Sequence, residues 1–302
     1  MLRSLLLKLA ESQGMARWVT SNGVSRRMAR RFVAGELLDE AIAAARASNQ
    51  AGMLASLDFL GENVASEADA RRARDLYLAK FDRIAQEKLD ANISLKLTQL
   101  GMDLGEEFCQ AMLEPIVERA ASYRNFVRVD MEGSAYTQRT IDLVRRVRAK
   151  NAAVGTVIQS YLYRSEQDIR DLLAVGCRIR LCKGAYNEAA DIAFPQKADV
   201  DANYVKLIQI LLPSGIYHGI ATHDLRMIEA TIDFAAKNGI GKDQFEFQML
   251  FGIRTDLQQK LVRDGYRMRL YIPYGSDWFP YFMRRLAERP ANVAFILRNL
   301  LR

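Results

Sequence analysis

The sequence predicts a closed parallel (βα)8 barrel of the TIM type, on three observations. Short apolar segments and amphipathic helical segments alternate eight times from about residue 53 onward. An open doubly wound sheet is the rival, but it is expected to carry a GxGxxG turn after its first strand, and the chain has none. At 302 residues and 50% hydrophobic, the chain suits one barrel with an extension. We therefore predict an α/β fold with a helical arm at residues 1–50 and a barrel at residues 51–302.

The predicted strands are short runs in which apolar residues dominate or alternate with polar ones. They lie at residues 53–60, 93–97, 126–131, 156–159, 178–183, 219–223, 245–249 and 268–272. Helices with apolar residues at i, i+3 and i+4 are predicted at 68–88, 106–121, 138–150, 166–174, 202–212, 225–237, 256–263 and 278–286. A last helix is predicted at 291–301, after Pro290. Because no linker rich in Pro or Gly follows the arm, we expect the arm to pack on the barrel.

The formal net charge is +7, and residues 1–50 contribute +4 of it through eight Arg or Lys against four acids. A basic helical arm can bind nucleic acid or an anionic membrane. Sparse aromatic residues in the arm favour a solvated helix face, so we predict no nucleic-acid partner and only weak peripheral membrane contact. Lys8 and Glu11 interrupt the leucines of the first ten residues, which argues against a signal peptide. We expect a cytoplasmic protein that can lie on the inner face of the membrane.

The cysteines and histidines point away from disulfides and metals. Cys109, Cys177 and Cys182 are an odd number without a CxxC pair, which predicts free thiols in a reducing compartment. His218 and His223 are the two histidines of the chain. A histidine-rich metal site is therefore not expected.

Active sites of (βα)8 barrels lie at the C-terminal ends of the strands. That rule selects Lys96, Asp130, Gln159, Arg180, Lys183, His223, Gln248 and Tyr271. Alternation places Arg128 and Arg178 one layer lower, and we predict a structural role for them with Glu246 as their partner.

Cations outnumber carboxylates at this predicted mouth. The two sets are Lys96, Arg180, Lys183, Arg284 and Arg285 against Asp130 and Glu288. An arginine guanidinium binds a carboxylate or a phosphate through two parallel hydrogen bonds, in bidentate geometry. The excess positive charge therefore predicts anionic ligands, namely a small carboxylate and a cofactor diphosphate.

Six motifs at strand ends, in the same order, resemble those of proline dehydrogenases, most closely the short monofunctional bacterial type. They are RxRLCKGAY at 178–186, Val129-Asp-Met131, Ala221-Thr-His223, Phe247-Gln-Met-Leu-Phe-Gly252, Tyr271-Ile-Pro-Tyr-Gly275 and Tyr281-Phe-Met-Arg-Arg-Leu286. The resemblance covers the whole barrel and extends to the helical arm. It implies a flavoenzyme that oxidises L-proline to Δ1-pyrroline-5-carboxylate by hydride transfer to FAD, the first step of proline degradation to glutamate. It further implies a membrane quinone as electron acceptor and a pyrroline-5-carboxylate dehydrogenase as a candidate partner.

The resemblance also implies roles for individual residues. Asp130 and Arg180 fall on catalytic positions. Substrate contacts fall on Lys96, Arg284, Arg285, Tyr186, Tyr271 and Tyr281. Cofactor contacts fall on Met131, Gln159, Lys183, Gly184, Ala185, Thr222, His223, Gln248 and Glu288. In one departure, Asn187 stands where some members carry an aromatic residue against the flavin.

The residue types suit these roles. A guanidinium at Arg180 would stabilise the negative charge of a reduced flavin, and Arg284 and Arg285 would hold the proline carboxylate. Lys96 and Asp130, on adjacent strands, are predicted to pair. Tyrosine rings around the pyrrolidine ring of proline would exclude water from the site and limit the size of substrate that fits.

Two other classes of function remain open on the residues alone. A cationic barrel mouth also suits a Schiff-base lyase or aldolase with Lys96 or Lys183 as the nucleophile. A basic barrel can also act as a binding module for RNA or a membrane surface. Only the flavoenzyme is expected to be yellow and to lose its colour when proline is added without oxygen.

Overall fold

A computed structural model describes residues 29–61 and 63–288, and of residues 284–288 it describes the backbone alone. Eight parallel strands pair in sequence order, and β1 pairs with β8 to close the barrel. The strands are β1 Leu54–Phe59, β2 Ala91–Leu95, β3 Val127–Val129, β4 Val154–Gln159, β5 Ile179–Cys182, β6 His218–Ala221, β7 Phe245–Leu250 and β8 Met268–Tyr274. The predicted (βα)8 barrel is confirmed.

Helices follow every strand, and one precedes β1 within the described residues. They are α1 Leu38–Gln50, α2 Glu67–Gln86, α3 Glu106–Ser122, α4 Ser134–Lys150, α5 Ser165–Ala174, α6 Lys197–Leu211, α7 Leu225–Lys237, α8 Thr255–Arg263 and α9 Trp278–Glu288. Short 3-10 turns lie at Thr98–Leu100 and Leu212–Ser214. The helix predicted at 291–301 lies outside the described residues.

Three strands end two residues earlier than their apolar patterns predict, and β2, which ends at Leu95, is the first of them. β3 ends at Val129 and β6 ends at Ala221, so Asp130 and His223 belong to the loops that follow. The backbone N–H of Asp130 still donates to the carbonyl of Leu95 on β2, at 2.8 Å. These loop residues are therefore held at the rim of the barrel by the strands beside them.

The outer layer differs from a regular barrel at its seam. Helix α1 buries Ala41, Ile42 and Ala45 and contacts both β1 and β8. Helix α9 instead joins a second apolar cluster, whose members include Phe32 and Leu60. Because Leu60 directly follows β1, this cluster lies at the C-terminal rim. The division into an arm at residues 1–50 and a barrel at residues 51–302 stays a prediction.

The lower part of the barrel interior, which we call the floor, is charged but differs from the predicted pairing. Arg128 donates to the carbonyls of Thr156 and Arg178 at 2.9 and 2.6 Å. Glu246 pairs with Arg269 of the adjacent strand β8 at 2.6 Å, so its predicted pairing with Arg128 and Arg178 is wrong. Arg178 itself is exposed. The physical reason is adjacency, because β7 lies beside β8 and is separated from β3 and β5.

Candidate active site

One guanidinium ties the upper interior together. Arg180, on β5, is 6% exposed. It donates to Asp130 Oδ1 at 2.7 Å, to Ser94 Oγ at 3.0 Å and to the amide oxygen of Gln248. These partners come from β2, from β7 and from the end of β3. Arg180 is therefore fixed in orientation at the mouth of the barrel.

Tyr271 completes this network from β8. Its hydroxyl donates to Asp130 Oδ2 at 2.7 Å, and the Arg180 guanidinium lies 5.2 Å from the centre of its ring. Burial raises the pKa of Tyr271 well above its ordinary value of 10, and the nearby Asp130 carboxylate adds to the effect. The tyrosine is thus a neutral donor, and both oxygens of Asp130 are engaged. Four of the residues selected from strand ends lie in this one network: Asp130, Arg180, Gln248 and Tyr271.

Lys96 pairs differently from the prediction. Its Nζ lies 3.3 Å from Asp58 Oδ1, while Asp130 is taken up by Arg180. The predicted pair of Lys96 with Asp130 is therefore wrong, because β2 has β1 on its other side and β1 presents a carboxylate there. Sequence reasoning missed Asp58. The available signal was an acid inside the apolar strand Leu54–Phe59, one residue before its end.

Lys183 lies in a separate ion-pair cluster. It contacts Asp201 and lies 2.7 Å from Asp224 Oδ2, the N-cap of α7. Burial opposes ionisation of Asp224, but the Lys183 hydrogen bond and charge outweigh it and lower the pKa of this carboxyl well below its usual 3.8.

The predicted excess of positive charge is smaller in the described part of the mouth than we expected. Asp58, Asp201 and Asp224 supply carboxylates that the count of strand ends had left out. The side chains of Arg284, Arg285 and Glu288 lie outside the described residues. Their roles stay predictions.

Most of the predicted cofactor residues gather at the rim formed by the ends of β4, β5 and β6. Gln159 is buried and donates to the carbonyl of Glu132 at 3.0 Å. The N–H of Thr222 donates to the carbonyl of Gln248 at 3.1 Å. His223 Nε2 accepts from the N–H of Leu250 at 3.0 Å, so a neutral ring carries its proton on Nδ1. Met131, at the end of β3, is buried beside this rim.

The loop after β5 carries Gly184, Ala185 and Tyr186. Gly184 has φ +110°, and a Cβ there would lie 2.3 Å from the ring of Tyr161, so no other residue fits without displacement. Ala185 is exposed and Tyr186 is half-buried. Tyr281, the remaining predicted substrate tyrosine, is buried in the apolar cluster of α9.

A carboxylate clasps this loop to the neighbouring rim. Glu188 accepts from the N–H of Ser134, the first residue of α4, at 2.8 Å, and from the Ser134 hydroxyl. The hydroxyl of Tyr161 donates to it at 3.3 Å. Acidic groups stabilise helix N-termini, and this contact explains why α4 begins at residue 134 rather than at the predicted 138.

The donor set suits a flavin. Three successive strand ends bring together a buried amide at Gln159 on β4, a buried guanidinium at Arg180 on β5 and a buried hydroxyl at Thr222 after β6. Such donors match the carbonyl oxygens and ring nitrogens of an isoalloxazine. The tight backbone at Gly184 allows close approach to a bulky ligand.

Comparisons with known proteins show which family the chain is similar to. The family model described as "Proline dehydrogenase" matches residues 41–298. Proline dehydrogenase 1 of Bacillus subtilis (strain 168) is 42% identical over 302 residues, which is 100% of both chains. The proline dehydrogenase of Deinococcus radiodurans is 41% identical over 280 residues, covering 91% of this chain and 90% of that protein.

Among solved structures, proline utilization A from Bdellovibrio bacteriovorus inactivated by N-propargylglycine matches with a TM-score of 0.82 and 28% identity. The match covers 87% of this chain and 33% of that one. It therefore concerns a part of the larger protein, whereas the two relatives above match along nearly their whole length. On the family model and these full-length matches, the chain belongs to the proline dehydrogenase family.

Proposed function

We propose that this protein oxidises L-proline to Δ1-pyrroline-5-carboxylate with FAD as its cofactor and a quinone as the electron acceptor. The observation that carries the proposal is the buried Arg180, held by Asp130, Gln248 and Ser94 at the barrel mouth. A cation fixed in this way can stabilise negative charge without reorganising. Membership of the proline dehydrogenase family supports the substrate and the type of reaction.

When bound, FAD would accept a hydride, that is one proton with two electrons, from the substrate carbon next to nitrogen. Arg180, Gln159, Lys183, Thr222 and His223 are the residues proposed to hold it, with the Gly184 turn giving close approach. Arg180 offsets the negative charge that the flavin takes on.

The other mouth residues bind and enclose the substrate. Lys96, with Arg284 and Arg285, is proposed to bind the proline carboxylate and so to set which ring carbon faces the flavin. Asp130 orients both Arg180 and the Tyr271 hydroxyl. The rings of Tyr186, Tyr271 and Tyr281 are proposed to exclude water from the reacting carbon.

The test is a visible spectrum of the purified protein followed by anaerobic titration with L-proline. We expect a yellow protein whose absorbance bleaches on addition of proline and returns when oxygen or a quinone is admitted. A colourless protein that does not take up FAD, or a yellow one that proline leaves unchanged, would contradict the proposal. The lyase alternative has little support, because Lys96 and Lys183 are both engaged in ion pairs with carboxylates.

Contact with a quinone pool motivates the proposal of weak peripheral membrane binding through the arm. Residues 1–28, which carry the predicted leucine stripe, lie outside the described part of the chain. No helix within that described part is long and apolar enough to cross a bilayer. Co-sedimentation with anionic vesicles, for the full chain and for a chain lacking residues 1–12, tests the proposal; equal pelleting of both would contradict it. A pyrroline-5-carboxylate dehydrogenase stays a proposed partner.

A further inference from the structure

One oxygen of Asp58 stands out among the groups at the mouth. Asp58 is 1% exposed, and its Oδ1 faces Lys96 Nζ at 3.3 Å. Its Oδ2 is buried and has no hydrogen-bond partner within the described residues. Buried polar atoms in native structures are nearly always satisfied, so an unsatisfied carboxylate oxygen at a binding site suggests a ligand donor.

The other carboxylates on the inner wall have no such capacity. Asp130 uses one oxygen for Arg180 and the other for the Tyr271 hydroxyl. Glu246 uses one oxygen for Arg269 and the other for the Tyr217 hydroxyl. Of these three inward carboxylates, Asp58 is the one with an oxygen left for a ligand.

The substrate of the proposed function brings a matching donor. Proline carries a secondary ammonium on the same carbon as its carboxylate, and the proposed carboxylate partners Lys96, Arg284 and Arg285 are all cations. None of them can accept a hydrogen bond from that ammonium. A carboxylate is the group that binds it most strongly in a site shielded from water.

We infer that Asp58 binds the ring ammonium of the substrate through Oδ2, beside Lys96, which binds the substrate carboxylate. The inference rests on the proposed function and extends it. Because the two substrate groups share one carbon, neighbouring protein groups of opposite charge can bind both. The Lys96–Asp58 pair thus binds both charged groups of a zwitterionic amino acid. It distinguishes a cyclic amino acid from a cyclic carboxylic acid that has no amine.

The test compares L-proline with tetrahydro-2-furoate, in which an ether oxygen replaces the ring nitrogen. The KM of proline and the inhibition constant of the ether are measured on flavin-loaded wild type, Asp58→Asn and Lys96→Met. We expect Asp58→Asn to raise the KM of proline at least about thirtyfold. The same variant should change the inhibition constant of tetrahydro-2-furoate less than about threefold. If turnover is too slow, the concentration dependence of anaerobic bleaching supplies the same comparison.

Lys96→Met is the matched control, because both ligands carry the carboxylate and should weaken by similar factors. Equal weakening of both ligands by Asp58→Asn, or no change in either, overturns the inference. If Asp58→Asn does not fold because Lys96 loses its partner, the comparison is made in the Lys96→Met background, with the same two outcomes.

A wild type that proline does not bleach overturns the proposed function and this assignment together. A bleached wild type whose variant treats both ligands alike overturns the assignment alone.

Discussion

Two buried arginines show how the floor and the mouth of the barrel use the same group differently. Arg128, on the floor, is held by the backbone carbonyls of Thr156 and Arg178 and by the ring of Phe126. Arg180, at the mouth, is held by side chains from three other strands or strand ends. Backbone partners are part of the sheet itself, whereas side-chain partners can adjust to a ligand. The floor is therefore expected to govern stability and the mouth to govern chemistry.

Electrostatics follow the same division. Burial lowers the pKa of Arg128 to about 9, and the charge of Arg180 adds to this effect, so Arg128 stays charged at neutral pH without a carboxylate beside it. Gly155 makes room for it, because a Cβ there would lie 3.1 Å from the Arg128 guanidinium and closer still to the carbonyl of Arg178. The mouth instead places each described cation against a carboxylate, as Lys96 against Asp58 and Lys183 against Asp224.

The largest expected effect is on the floor. Arg269→Met leaves Glu246 buried without its ion-pair partner, and breaking a buried pair costs about 3 to 5 kcal/mol of the free energy of unfolding. Urea unfolding of Arg269→Met against wild type measures it, with Arg269→Lys as the control that keeps the charge. We expect the folded fraction to keep its KM for proline. A stable but inactive variant would break the distinction between floor and mouth.

Arg180→Met is the matching change at the mouth. We expect the rate of anaerobic bleaching at saturating proline to fall about 10² to 10³-fold, because a positive charge fixed near the flavin is lost when negative charge develops. Rapid mixing followed at the flavin absorbance measures the rate, and retained flavin shows that the variant is folded. Normal bleaching would remove Arg180 from the chemistry.

Arg285→Met tests whether the mouth extends to α9. If Arg285 binds the proline carboxylate, the KM of proline should rise at least about thirtyfold with little loss of flavin, since a buried charge partner typically contributes about 2 to 5 kcal/mol. Steady-state kinetics with the flavin content measured beside them give the result. An unchanged KM would confine the carboxylate site to the strand ends.

The smallest effect is a pH dependence of the floor. His218 accepts from the N–H of Ile179 at Nδ1, and its Nε2 lies 3.0 Å from Ser214 Oγ. Burial lowers the pKa of His218 from 6.5 to about 3, so between these values the unfolded chain binds a proton that the folded chain does not. Protonation of His218 therefore leaves the free energy of unfolding unchanged above pH 6.5. Below pH 6.5 this free energy falls, by up to about 1.4 kcal/mol per pH unit.

Urea unfolding at three pH values between 7 and 5 measures this slope. His218→Asn keeps an acceptor for the N–H of Ile179 but cannot titrate, so its slope should be shallower than that of the wild type. Parallel slopes would show that other groups dominate the acid sensitivity of the floor.

The fold could be predicted from local pattern because eight alternations of strand and helix leave few other arrangements. The rule that active sites lie at strand ends selected Asp130, Arg180, Gln248 and Tyr271, and the structure brings these four together. A rule that depends only on position along a strand finds such residues without knowledge of their neighbours.

Pairing was the part that local pattern could not supply. Which carboxylate meets Lys96 or Arg269 depends on which strands are adjacent and on their register, and both are set by barrel closure. Asp58 was missed for a related reason. It sits in a run of apolar residues that continues to Leu60, so the predicted strand end fell at Leu60, two residues beyond Asp58.

The seam between β1 and β8 has a consequence for synthesis on the ribosome. Helix α1 packs on both β1 and β8, and β8 is the last strand of the barrel to be made. About 220 residues separate the two, which takes roughly 10 to 45 s at the usual 5 to 20 residues per second. For that period Ala41, Ile42 and Ala45 lack a complete partner surface, and this apolar face of α1 stays partly uncovered until β8 emerges and closes the ring.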